Sequence, residues 1–292
     1  MKLNITAPAK INLYLDVLGK MENGYHNLDS IMQSISLCDN VILNIEKTGT
    51  NDENIIEIQT TTDKIPNDKS NLVYKASDKF FEYTKIKGAK CIFTIEKNIP
   101  ISAGMAGGST DGAAALKLLN EAYNYPLSSE ELLKIGAKIG ADVPFCLTGG
   151  TAICQGIGEK IERITPFNNV LLVCAIDNSS VSTPIAFGML DDKYGTNCSS
   201  SGEMDKLISA IDNGSILDAS KYLYNKFENV IIPTNENVAM IKKVLLQNGA
   251  IGALMSGSGP SVFGIFDNEK KQRKAYEALK DLSIRAFLCK TI

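Results

Sequence analysis

Residues 99–115, IPISAGMAGGSTDGAAA, place four glycines within nine residues between a proline and an alanine-rich segment. Such a stretch can be a flexible linker, a structural turn or a cradle for an anion. The preceding CIFTIEK (91–97) predicts a strand, and DGAAALKLLNEAY (111–123) predicts a helix. The order strand, glycine loop, helix favours the cradle, because backbone N–H groups and the positive end of a helix can converge on one phosphate.

The composition is that of an ordinary globular protein of 292 residues with a formal net charge of −3, long enough for two domains. Without a basic block, nucleic acid is not expected as a partner. The apolar runs fall far short of the roughly 20 residues that span a bilayer, and MKLNITAPAK (1–10) lacks the apolar core of a secretory signal. We therefore expect a cytoplasmic protein without a membrane partner. Seven scattered cysteines without a C-x-x-C pair argue against a disulfide framework or a zinc site.

Strand and helix signals are mixed along the chain, without an internal repeat. Apolar patterns predict strands at 11–17, 41–46, 55–59, 91–97, 170–176, 251–257, 261–266 and 284–289. Helical patterns run through about 70–83, 111–123, 128–140, 203–212, 216–226, 235–248 and 269–281. Ser128 and Glu131 have the spacing of a capping box, and the polar segment 191–202 predicts a mobile loop.

Several common nucleotide and hydrolase signatures are missing from the sequence. It contains no G-x-x-x-x-G-K-[ST] P-loop, no G-x-G-x-x-G after a strand, and neither the H-R-D nor the D-F-G element of protein kinases. The segment GGSTD (107–111) does not fit the G-x-S-x-G elbow, and His26 is the only histidine available to a Ser–His–Asp triad. A phosphate at the glycine loop must therefore be held in another way.

Three segments in order resemble the motifs of the GHMP kinases: APAKINLYLDV (7–17), PISAGMAGGSTDGAAA (100–115) and MSGSGPSVFGIF (255–266). The resemblance implies an α+β, two-domain GHMP kinase fold. Residues 1–160 would form an ATP-binding N-terminal domain like ribosomal protein S5 domain 2. Residues 161–292 would form a ferredoxin-like C-terminal domain, with the active site in the cleft between the two.

Two further segments, GKMENGYHNLDSIMQSISLCD (19–39) and GADVPFCLTGGTAICQGIGEKI (140–161), narrow this resemblance. They are similar to family members that use ATP to phosphorylate the 2-hydroxyl of a cytidine-diphosphate-linked methylerythritol, in the non-mevalonate isoprenoid pathway. A homoserine or mevalonate kinase is the first alternative, although such small acceptors need no base-stacking pair like that in GYHNLDS. A nucleotide-binding module without turnover is the second. Either a monomer or a homodimer is compatible with the sequence.

The resemblance assigns Asp142, in GADVP, as general base beside the acceptor hydroxyl. Lys10, in PAKINL, would lie near Asp142 and the transferring phosphoryl group, keeping the carboxylate ionised and offsetting negative charge. Taken alone, Asp142 could equally be a turn or cap residue, and Lys10 a solvated charge at a strand end. For the acceptor, Tyr25 would stack on the cytosine and His26 would hydrogen-bond its edge.

Three more residues are assigned to the acceptor site by the same resemblance. Asn12 and Thr183 would make polar contacts, while Ile157 would line the pocket or belong to the core. For ATP, Asn71 and Lys97 would lie near the adenine. The phosphates would rest on the loop residues Pro100, Ala103, Gly104, Met105, Ala106, Gly107, Gly108, Ser109 and Thr110.

The loop departs from the usual family pattern Gly-Leu-Gly-Gly-Gly-Ser-Ser at Ala106, where glycine is usual. We expect φ below zero at Ala106, or a phosphate farther from its amide than from the neighbouring ones. SGSGP (256–260) is either a support packed closely against the site or a plain hairpin turn. Mg²⁺ should accompany ATP, with Ser109 as the best candidate for a protein ligand.

Overall fold

The computed structural model describes residues 1–47, 53–176, 182–196 and 198–292, and the chain forms two compact units. The first unit comprises Met1–Ala9, Cys38–Ile101 and Ala106–Thr148, and the second comprises Lys10–Leu37, Ser102–Met105 and Gly149–Ile292. Strands β1 (Lys2–Lys20) and β2 (His26–Lys47) contribute residues to both units. The units alternate along the chain, and the boundary expected between residues 160 and 161 stays a prediction.

The first unit contains a sheet in the order β3-β4-β2, in which β3 runs parallel to β4 and β2 antiparallel to it. Along β4 buried side chains alternate with half-buried ones, as expected of a strand with one face in a core. Buried Phe93 lies opposite buried Leu43 of β2. Helix α1 packs against α2. The bounds are β3 Ile55–Thr60, β4 Ala89–Glu96, α1 Leu72–Thr84, α2 Gly107–Ala122, α3 Ser129–Ala137 and α4 Val143–Thr148.

In the second unit, four antiparallel strands form a separate sheet in the order β11-β7-β10-β9. Numbered by their order in the chain, these strands lie as 4-1-3-2, with a helix before the second strand and another before the fourth, which is the ferredoxin-like arrangement. Helices α9 and α10 bury apolar residues at helical spacing in the core of this unit, as Val238, Ile241 and Leu245 do. The bounds are β7 Leu171–Ile176, α9 Glu236–Gln247, β9 Gly252–Met255, β10 Ser261–Phe266, α10 Glu269–Asp281 and β11 Arg285–Lys290.

The remaining elements of the second unit extend the pairing of β1 and β2. Strand β5 pairs antiparallel with β2, β6 pairs antiparallel with β5, and the two-residue β8 runs parallel to β1. The bounds are β5 Thr151–Gly156, β6 Lys160–Arg163, α5 Thr183–Tyr194, α6 Met204–Asp212, α7 Ile216–Lys221, β8 Tyr224–Asn225 and α8 Glu228–Ile231, followed by a 3₁₀ turn at Ile232–Thr234.

The sequence predicted some element bounds correctly and others wrongly. The helix expected at 269–281 has those bounds, and the capping box of Ser128 and Glu131 is confirmed. The loop expected at 191–202 is wrong at its start, because residues 191–194 are the last turn of α5. The helix expected at 216–226 ends at Lys221, since Tyr224 and Asn225 pair with β1 instead.

Within the described ranges, no helix is both long and apolar enough to cross a membrane. All seven cysteines are free thiols in the structure.

Candidate active site

The glycine run itself forms the first turn of α2, so the helix starts at Gly107, four residues before the predicted start at 111. The first intrahelical bond runs from Thr110 N to Ala106 O at 2.9 Å, and no side chain caps the turn. The earlier N–H groups of such a turn have no intrahelical acceptor, and the helix dipole adds partial positive charge there. Gly108 is exposed and Ser109 half-buried, so the turn is accessible to an anion.

Ala106 adopts φ +57° and ψ +30°, the left-handed conformation, immediately before α2. The expectation of φ below zero is therefore wrong. The turn into the helix requires this backbone conformation whatever residue is present, and a Cβ makes it cost about 1–2 kcal/mol. The other part of the expectation, a phosphate farther from the Ala106 amide than from its neighbours, stays a prediction.

The SGSGP segment connects β9 to β10 as a turn and also packs on the start of the glycine loop, so both readings apply. A Cβ added to Gly104, at φ +70°, would overlap the carbonyl oxygen of Ser256. A Cβ on Gly257 would lie 3.1 Å from Gly104 Cα. Ser256 Oγ donates to Gly104 O at 3.1 Å, and Ser261 Oγ to Ala103 O at 2.5 Å. Two glycine-rich backbones thus approach each other where no side chain could fit.

Lys10 and Asn12 lie two residues apart on β1, so they project from the same face of the strand. Lys10 N donates to Met105 O at 3.1 Å, and its buried Nζ donates to Asn12 Oδ1 at 2.7 Å. Asn12 Oδ1 also accepts from Gly257 N at 3.1 Å. The lysine ammonium is therefore held by an amide that also binds the SGSGP turn. That amide oxygen thus accepts two hydrogen bonds within the protein. A contact of Asn12 with the acceptor stays a prediction.

Asp142 is half-buried and immediately precedes the short helix α4, whose Cys146 N donates to Asp142 O at 3.0 Å. A position just before a helix is compatible with a cap residue and with a catalytic one. Asp142 belongs to the first unit and Lys10 to the second. Their joint role in catalysis stays a prediction.

His26 begins β2 and Tyr25 directly precedes it, and the two residues differ sharply in exposure. Tyr25 is 60% exposed, whereas the His26 ring is buried and stacks on Phe187 with ring centroids 4.4 Å apart and an interplanar angle of 17°. His26 Nε2 lies 2.7 Å from Asp191 Oδ1, and Lys20 Nζ donates to Asp191 Oδ2 at 2.8 Å. Hydrogen bonds from Lys20 and His26 lower the pKa of Asp191.

Phe187 and Asp191, which orient the imidazole, were missed from the sequence. Both lie on α5, of which only the last turn falls within the loop expected at 191–202. The predicted contacts of Tyr25 and His26 with cytosine stay predictions.

Thr183 begins α5 and is exposed, and its Oγ1 lies 2.9 Å from Ser258 Oγ in the SGSGP turn. The second unit therefore links Lys10, Asn12, the SGSGP turn and Thr183 through direct hydrogen bonds. Ile157 follows β5 and is half-buried, with its N–H donating to Glu159 Oε2 at 2.7 Å. Its assignment to the pocket or to the core stays open.

Asn71 caps α1: its Oδ1 accepts from Val73 N at 2.8 Å and its Nδ2 donates to Pro66 O at 2.6 Å. This role explains the buried position of Asn71, while its contact with adenine stays a prediction. Pro100 is buried at the entry to the glycine loop.

Lys97 lies in a buried cluster of charges that the sequence did not indicate. Its Nζ pairs with Asp39 Oδ2 and lies 2.7 Å from Asp111 Oδ2. Burial raises the pKa of Asp111 to about 7, against the opposing effect of Lys97. Among the described residues, Asp111 Oδ1 is the buried side-chain oxygen left without a hydrogen-bond partner. Whether Lys97 touches ATP stays a prediction.

The residues around the loop fit a magnesium ion that travels with the nucleotide. Across the described ranges, no three His, Cys, Asp or Glu side chains cluster in a way that could hold a metal. Mg²⁺ commonly keeps several waters and takes few protein ligands besides phosphate oxygens. Ser109 lies in the first turn of α2, and its role as such a ligand stays a prediction.

Two family models match this chain: "GHMP kinases N terminal domain" at residues 71–150 and "GHMP kinases C terminal" at residues 207–284. A 4-diphosphocytidyl-2-C-methyl-D-erythritol kinase of Clostridium kluyveri is 46% identical over 288 residues, covering 99% of each chain. The crystal structure of a 4-(cytidine 5'-diphospho)-2C-methyl-D-erythritol kinase matches with a TM-score of 0.78 and 27% identity, covering 99% of each chain.

A homoserine kinase from Cytophaga hutchinsonii has nearly the same fold, with a TM-score of 0.77, 17% identity and coverage of 100% of this chain and 94% of that one. At that identity the likeness concerns the fold alone. The curated relative in Clostridium and the two family models go further: the chain belongs to the GHMP kinases and, within them, to the family of the 4-diphosphocytidyl-2-C-methyl-D-erythritol kinases.

Proposed function

We propose that this protein transfers the γ-phosphoryl group of ATP to the 2-hydroxyl of 4-diphosphocytidyl-2-C-methyl-D-erythritol, in the cytoplasm. The observation that carries the proposal is the 46% identity to a relative of that name over 99% of both chains. Because the match covers nearly the whole chain, it includes the segments assigned to the acceptor as well as the phosphate loop.

In this reaction a bond forms between the acceptor oxygen and the γ-phosphorus, the bond from that phosphorus to ADP breaks, and the hydroxyl loses its proton. Such a transfer needs positioning and charge neutralisation more than covalent chemistry. The open first turn of α2 suits the phosphates, because its N–H groups and dipole favour negative charge. Bound Mg²⁺ would neutralise part of the phosphate charge, with Ser109 as a candidate ligand.

Asp142 is the candidate acceptor of the hydroxyl proton, and Lys10 the candidate cation beside the transferring group. Two contacts support this role of Lys10. Its buried ammonium is oriented by Asn12, and its backbone N–H binds Met105 of the glycine loop. A loose transition state releases the proton late, so the carboxylate would mainly orient the hydroxyl.

Recognition of cytosine would fall to Tyr25 and His26. The exposed ring of Tyr25 offers a face for stacking. A His26 ring that donates from Nε2 to Asp191 and carries no second proton would keep Nδ1 as an acceptor for an exocyclic amine. A homoserine or mevalonate acceptor has no base to use these two rings.

A coupled ADP-release assay with three acceptors tests the proposal. We expect ADP with the cytidyl-linked methylerythritol and only background rates with homoserine or mevalonate. No ADP with the cytidyl-linked acceptor would overturn the proposed function. Asp142→Asn should lower kcat by about 100-fold or more, the scale of general-base catalysis, and an unchanged rate would remove Asp142 from that role.

A further inference from the structure

We propose that Lys97, Asp39 and Asp111 form a positioning triad that holds both ends of the glycine loop in the arrangement that binds the phosphates of ATP. The inference rests on the proposed function only in taking ATP as the phosphoryl donor. All three residues lie in the first unit, and none of them was assigned this role by the sequence motifs.

The first contact of the triad fixes the entry to the loop. Asp39 Oδ1 accepts hydrogen bonds from the backbone N–H groups of Asn98, at 2.6 Å, and Ile99, at 2.8 Å. These two residues directly precede Pro100, where the loop begins. A carboxylate that accepts two adjacent amides leaves that backbone little freedom.

The second contact fixes the exit from the loop. Lys97 Nζ bridges Asp39 to Asp111 Oδ2, and Asp111 lies four residues after Gly107 on the same face of α2. A Cβ added to Gly107 would lie 3.3 Å from Lys97 Nζ. The ammonium therefore lies beside the first turn of α2 and binds the side chain of Asp111 in its second turn.

The energetics favour a role in positioning over one in stability. The three side chains are at most 5% exposed, and the desolvation of such buried charges offsets most of their mutual attraction. The Lys97 ammonium is already paired with two carboxylates, so Lys97 acts on ATP through the loop rather than as a ligand of the phosphates. What the triad contributes is one defined path for the backbone at each end of the loop.

Two substitutions of Asp111 separate the hydrogen bond from the charge. Asp111→Leu and Asp111→Asn both remove the ionisable carboxyl group, but only asparagine keeps an oxygen that can accept from Lys97. Both leave Lys97 paired with Asp39, so neither strands a buried ammonium. Calorimetric titration with a non-hydrolysable ATP analogue, without acceptor, gives the Kd of each folded variant, and thermal unfolding verifies the fold.

We expect Asp111→Leu to raise the Kd of the analogue about ten-fold and Asp111→Asn to stay within about two-fold of the unaltered protein. If Lys97 were instead a direct ligand, removing a nearby carboxylate would leave the affinity unchanged or tighten it in both variants. Equal affinities of the two variants, or tighter binding by Asp111→Leu, would therefore overturn the triad.

A second buried pair supplies the matched control. Asp16 and Lys226 in the second unit are as buried as the triad, and their Oδ1 and Nζ atoms lie 2.9 Å apart. Asp16→Asn should alter stability and leave the Kd of the analogue unchanged, and an equal loss of affinity there would contradict a specific role for the triad. Since no acceptor is present, a failure of the proposed acceptor specificity cannot imitate any of these results.

Discussion

Ala106 holds a left-handed backbone conformation, with φ +57°, at the point where the glycine loop becomes helix α2. Its Cβ crowds the following carbonyl, which costs about 1–2 kcal/mol. Glycine removes this cost but makes the unfolded chain more flexible, which offsets about 0.4–1 kcal/mol. We therefore expect Ala106→Gly to raise the free energy of unfolding by about 0.5–1 kcal/mol, measured by urea unfolding.

The control for Ala106→Gly is Ala137→Gly, at the exposed last residue of α3. There the backbone is helical, so glycine brings only its flexibility and should lower the free energy of unfolding by about 0.5–1 kcal/mol. Destabilisation of both variants to the same extent would contradict the strain at Ala106.

Asp191 should make the stability of the fold depend on pH, because hydrogen bonds from Lys20 and His26 lower its pKa. A carboxyl whose pKa is lower in the folded state stabilises the fold above its unfolded pKa, about 3.9, and loses that contribution as the pH falls through its folded pKa. The difference in free energy of unfolding between the unaltered protein and Asp191→Asn should thus be larger at about pH 6 than at about pH 3. Urea unfolding at the two pH values tests this, and a difference that grows toward about pH 3 would refute it.

At the scale of elements, the close approach of the SGSGP turn to the glycine loop leaves no room for a side chain at Gly104. Gly104→Ala meets both a left-handed φ of +70° and the carbonyl oxygen of Ser256, so the two backbones must separate. We expect it to lower the free energy of unfolding by about 3 kcal/mol, the sum of strain and overpacking. Chemical unfolding followed by circular dichroism measures the loss.

The matched control for Gly104→Ala is Gly214→Ala, in the exposed turn between α6 and α7. Its φ of +66° is equally left-handed, but nothing lies within 4 Å of an added Cβ. Only the backbone strain of about 1–2 kcal/mol remains there. Equal losses in the two variants would show that close packing contributes nothing at Gly104.

Elements with complete local signals could be predicted from the sequence, and elements set by distant contacts could not. The capping box of Ser128 and Glu131 marks the start of α3 within four residues of sequence. Strand β8 is only two residues long and exists because it pairs with β1, more than 200 residues earlier in the chain. Helix α5 was missed because Ile185 is apolar and yet 64% exposed, so no polar face marks the helix, and because its last turn is polar like a loop.

The same contrast applies to the candidate site. The glycine loop, Lys10 and His26 follow from motifs, because each motif keeps its residues close together in sequence. Asp39 and Lys97 are separated by 58 positions, so only the folded sheet reveals their pairing with Asp111. The φ of Ala106 was mispredicted since the residue type suggested one conformation and the turn imposed another.

At the scale of the whole molecule, the two family models and the relatives that match nearly every residue indicate one chemistry. The fold by itself does not, because a homoserine kinase shares it at a TM-score of 0.77. The choice of acceptor would therefore rest on the acceptor side of the site, to which we assign Tyr25 and His26 as a proposal.

The identity of the product formed from ATP and the cytidyl-linked methylerythritol tests this choice most directly. We predict one ADP for each acceptor consumed, and a product that carries one added phosphoryl group on the 2-hydroxyl, located by mass spectrometry and phosphorus NMR. Folded protein that leaves this acceptor unchanged while phosphorylating homoserine or mevalonate would contradict the account.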